Sequence, residues 1–236
     1  MIVTKPALAE SSSFPSAQFE TVDMTELTVV SGVLLESDFA TTSTVTCGSA
    51  CLMRSDCQMF SYDIWRGECR VDVILKHDVT STVPDGVVFY GRKEGNCPVT
   101  KGYSLTTAGG QTACLRVYLA HTLPAEAEEK CGQDGSHMYR VENEEKKAIM
   151  TKHVHERDYP LTFYWIDGRR QSSGSYTFVL GNGATVSAGS SLWCPGEPSS
   201  AYDPCVHFRF ECPGTGLNER PCTGYRDSYV ICEVDI

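Results

Sequence analysis

Between Trp193 and Cys222 the chain reads WCPGEPSSAYDPCVHFRFECPGTGLNERPC, and its oxygen-bearing side chains fall in two clusters: Glu197, Ser199 and Asp203, then Asn218 and Glu219. Three carboxylates, an amide and a hydroxyl make a hard-oxygen set, which suits Ca²⁺ and not a metal that seeks nitrogen or sulfur. One ion can use both clusters only if the fold brings them together. The remaining sequence therefore has to supply the scaffold for that stretch.

The chain has 236 residues, 41% of them hydrophobic and 21% charged, enough for a real core and compatible with two domains. A net charge of −10 argues against nucleic acid or an anionic membrane as the main partner, since both reward an excess of Lys and Arg. No apolar run approaches the length of a membrane span. Twelve cysteines without a single C-x-x-C pair indicate disulfides formed in an oxidising, extracellular compartment, not zinc. The opening MIVTKPALAESSS places Lys and Pro where the apolar core of a secretory signal should run, so secretion rests on the cysteines alone. There is no N-x-S/T sequon to add support.

Residues 1–16, rich in Ser, Ala and Pro, read as a disordered lead-in. From Phe19, FETVDMTELTVV and SGVLLE are β-branched, apolar runs parted by Ser-Gly, and read as strands. Cys47 and Cys51 lie one helical turn apart and share a face. MFSYDI, ECRVDV and VVFYGRK supply further strands, and Glu94-Gly95-Asn96 is a flexible boundary. Beyond it, two alternating runs flank Ala-Gly-Gly-Gln as a hairpin. HTLPAEAEEKCGQDG is a helix started near Pro124 and ended by Gly132 or Gly135, and ENEEKKAIMTKHVHE is a second helix capped by Asn143. Short strands follow in FYWIDG, SYTFVL, VHFRF and DSYVICEV.

The spacing C-x3-C-x5-C-x11-C with a final FYGRK strand resembles the PAN/apple module over residues 17–94. The resemblance implies a helix stapled to an antiparallel sheet by Cys47–Cys69 and Cys51–Cys57, in a unit used for adhesion or recognition or as a spacer. Residues 97–236 resemble a C-type lectin-like domain of the long form. The likeness is carried by the helix ending in Cys131, GSHMYRVENEE, the WIDG of Trp165 to Gly168, Gly196-Glu197-Pro198 and the terminal CEV. The fold class implied is α+β, with two helices, two antiparallel sheets and a long ligand loop in the second domain. Its bridges would be Cys97–Cys114, Cys131–Cys232 and Cys205–Cys222, leaving Cys194 and Cys212 to pair across the loop.

In sugar-binding members of that family a Glu-Pro-Asn loop and a later Trp-Asn-Asp converge on one Ca²⁺. Here the matching positions are Glu197-Pro198-Ser199, with Asp203, and Leu217-Asn218-Glu219. The resemblance thus implies a secreted, calcium-dependent lectin with Glu197, Ser199, Asp203, Asn218 and Glu219 as metal ligands. The same side chains would hydrogen-bond a sugar of the mannose, N-acetylglucosamine or fucose type, Tyr202 adding an aromatic contact. A cis Glu197–Pro198 bond would let Glu197 and Ser199 address one ion. Glycans or glycoproteins are the expected partners, with oligomerisation for avidity and a protein partner for the PAN-like domain. The competing reading is a calcium-independent protein-binding or adhesion member of the same fold.

Other chemistries fit less well. Asp203 and Glu197 could be the paired carboxylates of a glycosidase, but no hydrolase or phosphate-loop pattern accompanies them, and no catalytic residue is expected. His153 and His155 are two apart and do not share a helix face, so they read as favouring the helix dipole and not as a zinc pair. Trp165 and Trp193 read as core residues.

Overall fold

A computed structural model describes residues 19–22, 27–34, 43–54, 57–77, 84–92, 97–98 and 101–236. The expected lead-in and the Glu94–Asn96 boundary lie outside these residues.

The described residues of the first part of the chain form one helix on one sheet. Strands β1 (Phe19–Thr21), β2 (Leu27–Leu34), β3 (Met59–Asp63), β4 (Glu68–His77) and β5 (Val87–Arg92) form an antiparallel sheet in the order β1-β5-β3-β4-β2. The Ser-Gly pair does not separate two strands as expected: β2 runs through Ser31, with register shifts against β4 on either side of it. A bulge absorbs the irregularity without ending the strand. Helix α1 (Thr44–Leu52) buries Cys47, Gly48 and Cys51, and Cys47–Cys69 and Cys51–Cys57 tie it down. Phe60 centres this core, edge-on to Phe19 and stacked on Tyr90.

The second part opens with a hairpin of β6 (Ser104–Ala108) and β7 (Gln111–Thr122), turned by Gly109 and Gly110 at φ 58° and 81°. Backbone in this left-handed region favours glycine. Helix α2 (Pro124–Gln133) begins with the Glu126 carboxylate accepting the Leu123 N–H, and Gly135 follows its end. After β8 (His137–Met138), α3 (Glu144–Glu156) is capped by Asn143, whose side chain accepts the Lys146 N–H. The strands β9 (Phe163–Arg170), β10 (Phe178–Val179), β11 (Thr185–Val186), β12 (Cys205–Arg209), β13 (Gly216–Arg220) and β14 (Ser228–Val234) complete it. The main sheet runs β11-β10-β9-β14-β7-β6, and β12 pairs with both β9 and β13.

One core cluster packs Ile149, Met150 and Val154 of α3 against Tyr164, Phe208, Leu217 and Trp193. A second gathers Trp165, Tyr118 and Met138 around Cys131 and Cys232. Trp165 and Trp193 are core residues as expected, their indole N–H groups donating to the carbonyls of Thr122 and Ser187. All twelve cysteines are paired, Cys194 with Cys212 and Cys205 with Cys222 included. The two parts meet where the Gln58 side chain exchanges hydrogen bonds with the N–H and carbonyl of Leu105 on the edge strand β6.

His153 departs from the sequence reading. It is 1% exposed, its Nδ1 lies 2.8 Å from Thr106 Oγ1, and burial beside Arg157 holds its pKa well below the usual range. The ring is therefore neutral and adds no charge to the helix end. Among the described residues no helix is long and apolar enough to cross a membrane.

Candidate functional site

The decisive element is β13. Leu217-Asn218-Glu219 falls outside the strands expected from the sequence, whereas the chain here is a strand paired to β12, with Asn218 opposite His207 and Glu219 opposite Val206. Successive strand residues point to opposite faces. Leu217 and Glu219 therefore go one way, 2% and 4% exposed, and Asn218 goes the other.

Close packing allows β13 to start where it does. A Cβ on Gly216 would stand 2.7 Å from the Leu192 carbonyl oxygen, so only glycine lets the strand run this near to residues 192–194. Leu217 then donates to the Leu192 carbonyl and accepts from the Cys194 N–H, and Cys194–Cys212 staples the same place.

On the Glu219 side the long loop folds over the strand. Glu219 Oε1 accepts the N–H groups of Ser199 and Ser200 and the Ser199 hydroxyl, the last at 3.2 Å. The Ser199 N–H is shared, donating also to Glu197 Oε2 at 2.9 Å. The Glu197–Pro198 bond is cis. Glu197, Ser199 and Glu219 thus meet at one point, while Tyr202 stands 83% exposed beyond them. Asp203 is held by its backbone, and its carboxylate has no hydrogen bond or ion pair among the described residues.

Sequence reasoning missed the residue that shapes this loop. Arg170, at the end of β9, is 9% exposed and donates to the carbonyls of Ser175, Ser200 and Asp203 while lying over the Phe178 ring. Its fork is suited to several acceptors at once. The only signal in the sequence is an arginine closing an apolar strand.

Asn218 meets a buried imidazole. His207 Nε2 lies 2.6 Å from Asn218 Oδ1, and the ring is fully buried and stacked on Phe163 at 4.8 Å. Burial pushes the His207 pKa down to about 4, so the ring is neutral near pH 7. An amide oxygen can only accept, which places the proton on Nε2 and leaves Nδ1 buried without a partner.

The Glu219 side has the donors a calcium ion would use. Glu219 Oε2 is buried with no hydrogen-bond partner, beside the Glu197 carboxylate that shares its Ser199 donor. An orphaned carboxylate oxygen next to a second carboxylate is a hard-oxygen pair that a cation would satisfy. Among the described residues no three Asp, Glu, His or Cys side chains gather in one metal-holding group, and Ser199 Oγ is the further side-chain oxygen that meets Glu219 at this point.

Residues 124–234 match the family model of the lectin C-type domain. Among curated relatives, C-type lectin 37Db of Drosophila melanogaster is 27% identical over 121 residues, 50% of this chain and 75% of that protein. C-type lectin domain family 4 member A of Rattus norvegicus is 26% identical over 110 residues, 47% of this chain and 42% of that protein. Among solved structures, the C-type lectin domain of murine dendritic cell inhibitory receptor 2, in complex with N-glycan, is 20% identical. It covers 52% of this chain and 91% of its own, with a TM-score of 0.44. Within the matched residues 124–234, β13 and the loop of residues 194–203 bring Glu197, Ser199 and Glu219 together.

Proposed function

We propose that this chain is a carbohydrate-binding C-type lectin whose sugar site is the Glu197–Asp203 loop laid over Glu219, and that the site requires Ca²⁺. The observation that supports this is the buried, unpartnered Glu219 Oε2 beside the Glu197 carboxylate. When bound, the ion would neutralise these carboxylates and offer open coordination positions to adjacent sugar hydroxyls. Glu197 and Glu219 would hold it, with Ser199 Oγ as a neutral ligand and Asp203 as a further charge. The chain's own part is positional: Arg170 fixes the carbonyls of Ser200 and Asp203, and Glu219 fixes the N–H groups of Ser199 and Ser200. Tyr202 is left outside to meet a sugar ring. Mannose, N-acetylglucosamine or fucose remain the proposed sugars, and secretion, an oligomer for avidity and a PAN/apple-like recognition domain over residues 17–94 belong to the same reading. The last is supported by the helix-on-sheet arrangement and its two bridges.

A second reading, calcium-independent protein binding or adhesion, draws support from a different fact. Glu219 Oε1 is already satisfied from within the chain, and Asn218 by His207.

A melting curve in calcium and in chelator separates the two. An extracellular site with a dissociation constant of roughly 10⁻⁴–10⁻³ M, at about tenfold excess of ion, gains about 1.4 kcal/mol by linkage. The melting temperature should rise on the order of 3–5 °C. Retention on mannose or galactose resin should vanish in chelator. Coincident curves and calcium-indifferent resins would leave the protein-binding reading in place.

A further inference from the structure

The other face of β13 carries a second group of side chains, which uses none of Glu197, Ser199 or Glu219. Strand register sets Phe163 opposite Arg209, and Asn218 and Cys205 opposite His207 and Arg220. The Arg209 and Arg220 guanidinium carbons lie 5.9 and 5.4 Å from the centre of the Phe163 ring, and Arg220 lies 4.6 Å from that of Tyr225. Arg220 is paired with Asp227. Arg209 has no carboxylate within ion-pair distance among the described residues, and its Nε is buried without a hydrogen-bond partner. Two guanidinium groups against one carboxylate leave a local positive excess in a chain of net charge −10. The phenyl ring beside them is partly exposed and Tyr225 is 51% exposed, so the face is open to solvent.

An unpaired arginine fork calls for an acceptor with at least two oxygens, because parallel N–H donors match a carboxylate or sulfate geometrically. Aromatic rings on its flank offer apolar surface to the C–H face of a saccharide. We propose that this face binds an anionic saccharide, its carboxylate or sulfate ester seated on Arg209 with Arg220 beside it and its ring against Phe163 and Tyr225. The site lies across β13 from the proposed calcium site and needs no calcium.

The test is calorimetric titration of the full chain, in chelator, with a sulfated disaccharide, a uronate disaccharide, their neutral counterpart and inorganic sulfate. The native chain should bind one or both of the acidic sugars, more weakly as salt is raised, and ignore the neutral one. Arg209→Gln should weaken that binding by about tenfold or more, since a hydrogen bond to a charged group contributes roughly 1.5–3 kcal/mol. Arg209→Lys should fall between the two, and serves as the measured variant if Arg209→Gln melts earlier than the native chain. No binding of either acidic sugar in chelator, or binding unchanged by both variants, overturns the proposal. So does inorganic sulfate binding as well as the sulfated sugar. Every arm is read without calcium, so failure of the calcium site in the preceding melting test leaves this result standing on its own.

Discussion

Asn218 and Glu219 are neighbours in sequence and occupy opposite environments. On the Glu219 side, a carboxylate is buried under a loop whose N–H groups converge on one of its oxygens and leave the other unmatched. On the Asn218 side, an amide closes against a neutral imidazole, amid two arginines and an aromatic ring. The first side concentrates negative charge and the second positive charge. Two residues that look like one ligand cluster therefore meet different surroundings, because a strand sends consecutive side chains apart.

The largest expected effect comes from removing the centre of the first side. Glu219→Ala leaves the Ser200 N–H and the Ser199 hydroxyl without their acceptor, while the Ser199 N–H keeps Glu197 Oε2, and should cost about 2–4 kcal/mol, taking each unmade bond at roughly 1–3 kcal/mol. Denaturant unfolding measures it. Glu219→Gln keeps an acceptor and loses the charge, so it should unfold nearer to the native chain and lose the calcium-induced rise in melting temperature. A rise that survives Glu219→Gln would detach calcium from this side of the strand.

Arg170→Met should come next, at on the order of 2 kcal/mol, since it frees the carbonyls of Ser175, Ser200 and Asp203 while keeping an apolar contact with Phe178. Its diagnostic is hydrogen exchange, faster across residues 199–203 than in β12.

His207→Phe keeps a ring against Phe163 but leaves Asn218 Oδ1 without its donor, a loss of about 1–2 kcal/mol. The calcium response should be the same as in the native chain. If it drops as far as in Glu219→Gln, the two sides are one site and the comparison fails.

The smallest change is Tyr202→Ala. The side chain is 83% exposed, so stability should move by less than about 0.5 kcal/mol. Retention on sugar resin should nevertheless weaken several-fold, and unchanged retention would remove Tyr202 from the sugar contact.

Much of the scaffold is legible in the amino-acid sequence, wherever the signal is local. Asn143 capping α3, Pro124 opening α2 and Gly109-Gly110 turning the hairpin act on residues within a few positions of themselves. The oxygen-rich donor set is legible too, as composition: Glu197, Ser199 and Glu219 do come together. What the tertiary structure alone decided is the direction in which each donor points. Leu217-Asn218-Glu219 lies in a stretch rich in Gly, Pro and charge, and becomes a strand because β12 offers it partners. That pairing sends Asn218 to His207 and Glu219 to Ser199. Arg170 lies 30 residues from the Ser200 carbonyl it holds. Its role, and the unpaired state of Arg209, follow from which strands lie side by side, and strand neighbours are fixed by contacts far apart in the chain.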